Sequence, residues 1–419
     1  MGERASKTNL KSDGARLWSS LMEMAKIGAL PNGGCCRLAL TDVARAGRDL
    51  FVDWLQAAGC EVTIDRFGNI FGLRLGKRPD LPIVLTGSHL DTQPKGGKFD
   101  GVYGVLAGLE AIRALNDAGI ETERTVAVVS WTNEEGARIM RSCTGSGGFS
   151  GGIPEDEVLA APANDGPTAG EELRRIGYMG EAGPRFLDVG DYIEAHIEQG
   201  PILEHEQKTI GVVTDIQGIR WMRYTLSGTD RHAGTTPMDL RSDTLAAAGE
   251  IIFRLNELAN ARRPDARITV GRVEPVPNSI NTVAGRTTFT IDLRHPSAPT
   301  LDKFEDEIEA IVAAAAKRQG GRVAREKLFT LPPVACDKRL DGVIRDAATR
   351  LGYPNRDMLS GAFHDACFLA TVAPTAMIFI PCKDGISHAE EEYASPEDCA
   401  AGVEVLVQTL VEVAGVVKG

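Results

Sequence analysis

The chain has 419 residues, 43% of them hydrophobic and 25% charged, with a formal net charge of −12. It is long enough for two domains and apolar enough for a sizeable core, and its acidic balance argues against the clustered Lys and Arg of a nucleic-acid footprint. No apolar run reaches the ~18 residues of a membrane span, and the opening MGERASKTNLKSDG lacks an apolar export segment, so neither nucleic acid nor membrane is expected as a partner. Eight cysteines (Cys35, Cys36, Cys60, Cys143, Cys336, Cys367, Cys382, Cys399) are scattered without a CxxC pair, which suits buried thiols in a reducing cytoplasm. Gly2 and Ser6 fit the loose myristoylation pattern, but nothing polybasic or apolar follows to secure an anchor.

In chain order, residues 40–58 place apolar side chains at helical spacing behind a Thr-Asp start. EVTIDRFGNIFGLRLG then alternates like two paired strands with a turn at Gly68. LPIVLTG and RTVAVVSW are short aliphatic runs separated by the helical stretch GVLAGLEAIRALNDAG, a strand-helix-strand unit of a parallel sheet. Residues 154–190 are rich in Gly, Pro and acids, and are expected to be a surface excursion with one short helix. Near residue 212 the texture changes to half-exposed strands (RWMRYTLSG, ARITVGRVEPV, GRTTFTIDLRH, RVAREKLF) and two amphipathic helices. One of these carries Ala248, Ile251, Ile252 and Leu255, the other Phe304, Ile308, Ile311, Val312 and Ala315. That β-α-β-β-α-β order is ferredoxin-like. It is expected as an insertion, residues 212–330, between two parts of a first α/β domain, residues 1–211 and 331–419.

Ligands of an α/β sheet sit beyond the carboxyl ends of its strands, where SHLD and NEEG fall. His89 and Asp91, two residues apart at a strand end, suit one ligand and one orienting group. Asp100 lies directly before a helix and is placed to return to the same pocket. Glu134 and Glu135 are adjacent, so their side chains diverge, and one can hold a metal while the other handles a proton. His196 ends another strand and His388 lies in a late loop. Imidazole and carboxylate without thiolates suit Zn, Mn, Co or Ni, and a carboxylate shared by two ions would explain an aspartate between two ligand pairs.

The ordered motifs SHLDTQPKGGKFDG, TNEEGARI, HIEQGP, RHAGTTPMDLRSD, NSINTVAG, DLRH, SGAFHDA and GISHAEE resemble the amidase, hydantoinase/carbamoylase branch of the dinuclear metallo-aminopeptidase-like hydrolases, from about residue 20 to the C-terminus. The resemblance implies a mixed-sheet α/β catalytic domain with an inserted ferredoxin-like dimerisation and lid domain, in a homodimer. It implies two divalent ions, one held by His89, Asp100 and His196 and the other by Asp100, Glu135 and His388, with Asp100 as the bridge. Glu134 matches the general base, Asp91 the residue that orients a ligand histidine, and His232 a lid histidine that reaches the active site.

Gln199, Asn281, Arg294, Gly361 and His364 match positions that line the substrate pocket, with the arginine gripping a carboxylate. The implied reaction is hydrolysis of the carbamoyl C–N bond of N-carbamoyl amino acids, α or β, a small carboxylated ureide. Allantoate or a related ureide is the alternative, and an aminoacylase, an aminopeptidase or a non-catalytic binding protein is more distant. Phe363, the Ala389-Glu390 pair and RIMRSC (residues 138–143) depart from the family pattern. Phe363 is the departure expected to reshape substrate choice.

Overall fold

The computed structural model describes residues 10–417, so Gly2 and Ser6 lie outside the described residues. The chain opens with α1 (Gly14–Lys26) and α2 (Asp42–Ala57), the second capped by Thr41, whose side-chain oxygen accepts from the Ala44 amide at 3.1 Å. Next come β1 (Glu61–Ile64), β2 (Ile70–Arg74), β3 (Ile83–His89), α3 (Val102–Asp117) and β4 (Val126–Trp131). They are followed by α4 (Thr144–Ser150), α5 (Glu155–Ala160), α6 (Ala169–Ile176), β5 (Val189–Ile197), α7 (Ile202–His205) and β6 (Ile210–Ile216).

A second compact unit, Asp215–Ala335, begins within β6. It holds β7 (Gly218–Ser227), β8 (Arg231–His232), α8 (Thr244–Ala261), β9 (Arg267–Val276), β10 (Thr282–Val283), β11 (Arg286–His295), α9 (Ala298–Arg318), β12 (Arg322–Leu331) and β13 (Val334–Ala335). The first unit resumes with α10 (Lys338–Leu351), β14 (Asn355–Ser360), α11 (Ala366–Leu369), β15 (Thr375–Ile380) and α12 (Pro396–Ala414).

The first unit is built on one mixed sheet in the order β1-β2-β4-β3-β5-β15-β6, with β14 also on β6. Its centre, β4-β3-β5-β15, is parallel, and β2 and β6 flank it antiparallel. Every residue of β3, β4 and β15 is buried, as aliphatic runs covered on both faces require. Helix α3 is buried on almost all sides, packed on β3 and β4 and against α1 and α12, so its apolar residues are not confined to one stripe.

Two polar fasteners fix the strand exits that bear the site. Arg37, 2% exposed, donates from Nε to the Leu90 carbonyl (2.7 Å) and from Nη1 to the Ile27 and Met24 carbonyls (2.8 and 3.2 Å), which pins the chain as it leaves β3. Asn69 accepts from the Thr132 amide (2.9 Å) and donates to the Gly145 carbonyl (3.0 Å), bracketing the segment after β4. A buried amide or guanidinium satisfied by backbone groups holds those groups far more tightly than an exposed one.

Residues 154–190 differ from expectation. They form two helices, α5 and α6, and α6 buries Ala169, Leu173 and Ile176 in the core. Thr168 and Glu171 form a capping box, a T-x-x-E signal that the surrounding Gly and Pro obscured.

The second unit is an antiparallel sheet, β12-β7-β11-β9, with α8 and α9 providing its core partners. Met222, Tyr224, Leu226, Phe289 and Leu293 meet Ile251, Leu255, Phe304 and Ile308 in its core. The alternation of β7 leaves Trp221 on the opposite, exposed face, its ring 5.1 Å from that of Phe329. Beyond one end of the sheet, β8 and β10 form a two-stranded ribbon.

Candidate active site

Three parallel strands deliver the polar groups to one edge. His89 is the last residue of β3, the glutamate pair follows β4, and His196 is the penultimate residue of β5. Asp100 stands just before α3, separated from it by Gly101 in a left-handed conformation (φ 67°), where a Cβ would overlap the His89 imidazole. His388 arrives on the loop before α12 and is itself left-handed (φ 56°), as are Asn133 (φ 55°) and Gln199 (φ 56°). Backbone held in this unfavourable region by several residues around one point is characteristic of a constrained site.

The side chains converge on Asp100. Its Oδ1 lies 3.2 Å from His196 Nε2 and 3.7 Å from His89 Nε2, and its Oδ2 lies 3.1 Å from His388 Nε2. Glu135 Oε2 is 3.5 Å from His388 Nε2, and Glu134 Oε2 is 3.6 Å from His89 Nε2. His89 Nδ1 and His196 Nδ1 donate to the carbonyls of Asp91 and Ile197, each at 2.9 Å, so the Nε2 atoms turn inward.

Ligand atoms of His89, Asp100 and His196, and likewise of Asp100, Glu135 and His388, all lie within 4.8 Å of one another. The two groups share Asp100, whose oxygens face opposite ways. Nitrogen and carboxylate donors in this arrangement suit a divalent metal ion. A third group, Glu194, His196 and His364, is of a different kind. Glu194 already accepts from Ser88 Oγ (2.7 Å), Tyr192 Oη (3.2 Å) and the Ala366 amide (3.0 Å), and His364 Nε2 pairs with Ser360 Oγ (2.8 Å).

The electrostatics follow from the crowding. Burial, then the charges of Asp365, Glu135, Asp100 and Asp91, pushes the Glu134 carboxyl well above the ordinary carboxylate range. Burial and then Asp100 push Glu135 up to about 8. His388, hydrogen-bonded to Asp100, rises to about 9, whereas burial lowers His89. Four carboxylates and three imidazoles in so small a volume form a site that favours added positive charge.

The contacts of the remaining expected site residues are specific. Asp91 meets His89 through its backbone carbonyl (2.9 Å) and more distantly through its carboxylate (Oδ1 to Nδ1 3.9 Å), and that carboxylate also accepts from the Glu134 and Glu135 amides, each at 3.2 Å, and so sets the glutamate pair. Gln199 donates to Asp100 Oδ2 (2.9 Å) and Ser387 Oγ (3.3 Å) and sits on the shared carboxylate itself. His364, expected at the pocket wall, is 2% exposed and lies behind His196, ring centroids 4.7 Å apart. It lies on the connection between β14 and α11, and α11 packs on β5 and β15, with the Phe379 ring 5.7 Å from the imidazole. Gly361 is half-buried in the loop after β14, and Phe363 packs edge-on against Phe368 at 5.9 Å.

In the second unit, His232 and Asn281 meet on the β8–β10 ribbon. The Ala233 amide donates to the Asn281 carbonyl (2.9 Å), and His232 Nδ1 accepts from the Gly234 and Thr235 amides (3.0 and 3.2 Å). Arg294 is near the other end of β11, where its Nε and Nη2 donate to Asp292 at 3.0 and 2.8 Å. From Arg286, next to the ribbon, to Arg294 is about 27 Å at ~3.4 Å per strand residue. Residues the sequence reading missed include Gln93, which donates to Glu135 Oε2 (2.6 Å), and Cys143, whose Sγ is 3.7 Å from Glu134 Oε1. Gln93 was within reach, two residues after Asp91 in the same motif. Cys143 carried no local signal.

Residues 85–412 match Peptidase family M20/M25/M40, and the chain belongs to that family, within its amidase, hydantoinase/carbamoylase members. It is 45% identical to the N-carbamoyl-L-amino-acid amidohydrolase of Rhizobium meliloti, over 98% of this chain and 99% of that protein. It is 32% identical to the allantoate amidohydrolase of Bacillus subtilis, over 93% and 95%. The solved structure of an amidase of the hydantoinase/carbamoylase family from Burkholderia multivorans superposes with a TM-score of 0.94 at 51% identity, covering 97% of this chain and 98% of that one.

Proposed function

We propose that this chain is an N-carbamoyl-L-amino-acid amidohydrolase, which with one water converts its substrate to the free amino acid, ammonia and carbon dioxide. The observation that carries the reading is the pair of ligand groups joined at Asp100 with Glu134 beside them; the full-length likeness to the Rhizobium meliloti enzyme supports the substrate class. His89, Asp100 and His196 would hold one divalent ion, and Asp100, Glu135 and His388 a second. Such ions, when bound, polarise a carbonyl and make a nearby water acidic enough to react at neutral pH.

The chain's own groups do the rest. Glu134 takes a proton from the attacking water and returns one to the departing nitrogen, and burial, which raises its carboxyl above the ordinary range, makes it a stronger proton acceptor than an exposed carboxylate. Asp91 holds Glu134 and Glu135 by their amides, and His364 backs His196. Arg294, kept in orientation by Asp292, grips the substrate carboxylate, and His232 and Asn281 meet the carbonyl oxygen as charge develops there.

Arg294 and the His232–Asn281 pair stand toward opposite ends of β11, about 27 Å of strand apart, a longer reach than one small substrate offers. A homodimer in which one copy supplies Arg294 and the other supplies His232 resolves this. In that arrangement His232→Ala and Arg294→Ala are each inactive, and re-associating them restores about a quarter of parental activity, because half the dimers are mixed and each mixed dimer has one intact pair. If mixing restores nothing, the two residues act from the same copy. All eight cysteines are free and seven are buried, which agrees with a reducing cytoplasm.

Ammonia release across N-carbamoyl-L-amino acids, N-carbamoyl-β-alanine and allantoate tests the substrate, with N-acetyl amino acids, dipeptides and a carbamoyl amine lacking the carboxylate as controls. The L-amino acid derivatives are expected to be turned over best and the carboxylate-free compound at least ~100-fold worse, since a bidentate Arg–carboxylate contact is lost. Allantoate consumed while every carbamoyl amino acid is left intact would instead establish the second reading, which the Bacillus subtilis relative favours.

A further inference from the structure

Glu392 lies on the segment between His388 and α12, is 4% exposed, and belongs to neither ligand group. Its carboxylate nevertheless joins two parts of the chain almost 300 residues apart. Oε1 accepts from the amides of Phe99 (3.1 Å) and Asp100 (3.0 Å), and Oε2 accepts from Ser387 Oγ (2.8 Å). Ser387 is the residue before His388, and its hydroxyl also lies 3.4 Å from Asp100 Oδ2. Gly97 completes the fit, because a Cβ there would overlap both the carboxylate and the Cβ of Glu392.

We infer that Glu392 is a positioning residue that clamps the Asp100 loop to the His388 loop and thereby assembles the Asp100–Glu135–His388 metal position, an inference that rests on the proposed metal-dependent function. The geometry favours this over a general packing role. The two amides it receives are those of Asp100 and its neighbour, and its third partner is adjacent to His388, so each contact bears directly on a ligand segment. A carboxylate accepting backbone N–H groups in a buried place holds them in one register. Its loss would leave two buried amides unpaired and let Asp100 and His388 drift apart.

The test uses the full-length protein loaded with Zn or Mn. For the parent, Glu392→Ala and Glu392→Gln, bound metal per chain, affinity by competition with a chelator, and kcat and KM for an N-carbamoyl-L-amino acid are measured. Glu392→Ala is expected to weaken one of the two bound ions by about 10–100-fold, with kcat restored in part by excess metal and KM nearly unchanged. Glu392→Gln keeps an oxygen for both amides and an amide for Ser387, so its metal affinity should stay within about threefold of the parent. Ser387→Ala and Gly97→Ala perturb the same clamp without removing the carboxylate and should weaken the same ion, which keeps the test decisive if Glu392→Ala does not fold. Parental metal affinity in Glu392→Ala, or a Gln variant as impaired as Ala, overturns the clamp alone. A parent chain that binds no transition metal overturns the metal reading with it.

Discussion

Glu134→Gln is expected to fold, to bind metal as the parent does, and to release ammonia about a thousandfold more slowly, within the range that loss of a general acid–base group produces. The amide has the size and shape of the carboxyl and keeps an oxygen for the Cys143 thiol 3.7 Å away, but it cannot take up a proton. Glu134 is 8% exposed and faces His89 Nε2 at 3.6 Å without belonging to either ligand group, so metal content should be unaffected. The charge balance reinforces this. Asp365, Glu135, Asp100 and Asp91 all disfavour a negative Glu134, and its raised folded pKa means that ionising it costs stability as the pH climbs past the ordinary carboxylate value. The metal-free variant is therefore expected to melt no lower than the metal-free parent at pH 7. Steady-state ammonia release and metal analysis on the same preparation check both halves, and a variant within tenfold of parental kcat would remove Glu134 from the role of base.

Asp100→Asn should have the widest consequence of any single change at the site. Asp100 is the one residue common to both ligand groups, with Oδ1 toward His196 and His89 and Oδ2 toward His388. Asparagine preserves the volume but removes the negative charge and turns one of the two ligand oxygens into an N–H donor. Both metal positions should weaken, by at least about 100-fold each, with activity falling below detection. His388→Ala is the comparison, since it strips one group only and should leave roughly one ion per chain. Metal titration of both variants separates a shared ligand from a terminal one. Two ions retained by Asp100→Asn at parental affinity would show that Asp100 is not the bridge.

Most of the first unit was legible because its signals are local. The aliphatic runs of β3 and β4 and the helix between them are contiguous, and a strand buried on both faces needs only a continuous apolar stretch. The strand alternation and helical stripes that gave the ferredoxin-like order of the second unit are equally local, and its sheet order β12-β7-β11-β9 follows from them once paired. The two helices of residues 154–190 were missed for the converse reason. They are short, and α6 is held by burial of Leu173 and Ile176 against distant core residues, which no pattern of a few Gly, Pro and acids reveals.

At the site, chemistry type was written in the chain and contact was not. His89, Asp100, Glu134, Glu135 and His196 could be singled out because they lie at or just after strand ends or before a helix, places where an α/β sheet exposes polar groups, and His388 as a histidine in a late loop. That Asp91 reaches His89 by its carbonyl and the glutamate pair by its carboxylate depends on turns no spacing rule fixes. Gln199 on Asp100, His364 behind His196, and Glu392 across almost 300 residues to the Asp100 amide depend on the closure of the whole sheet. The separation of Arg294 from His232 along the second unit likewise becomes visible only when β11 has a direction and an end. Residue type and periodicity are properties of the chain, so the sequence by itself determined which imidazole and carboxylate groups this protein carries at its strand ends and loops. Distances between groups remote in the chain exist only after the β5–β15 and β3–β5 pairings bring them together, so the tertiary structure alone decided which group touches which.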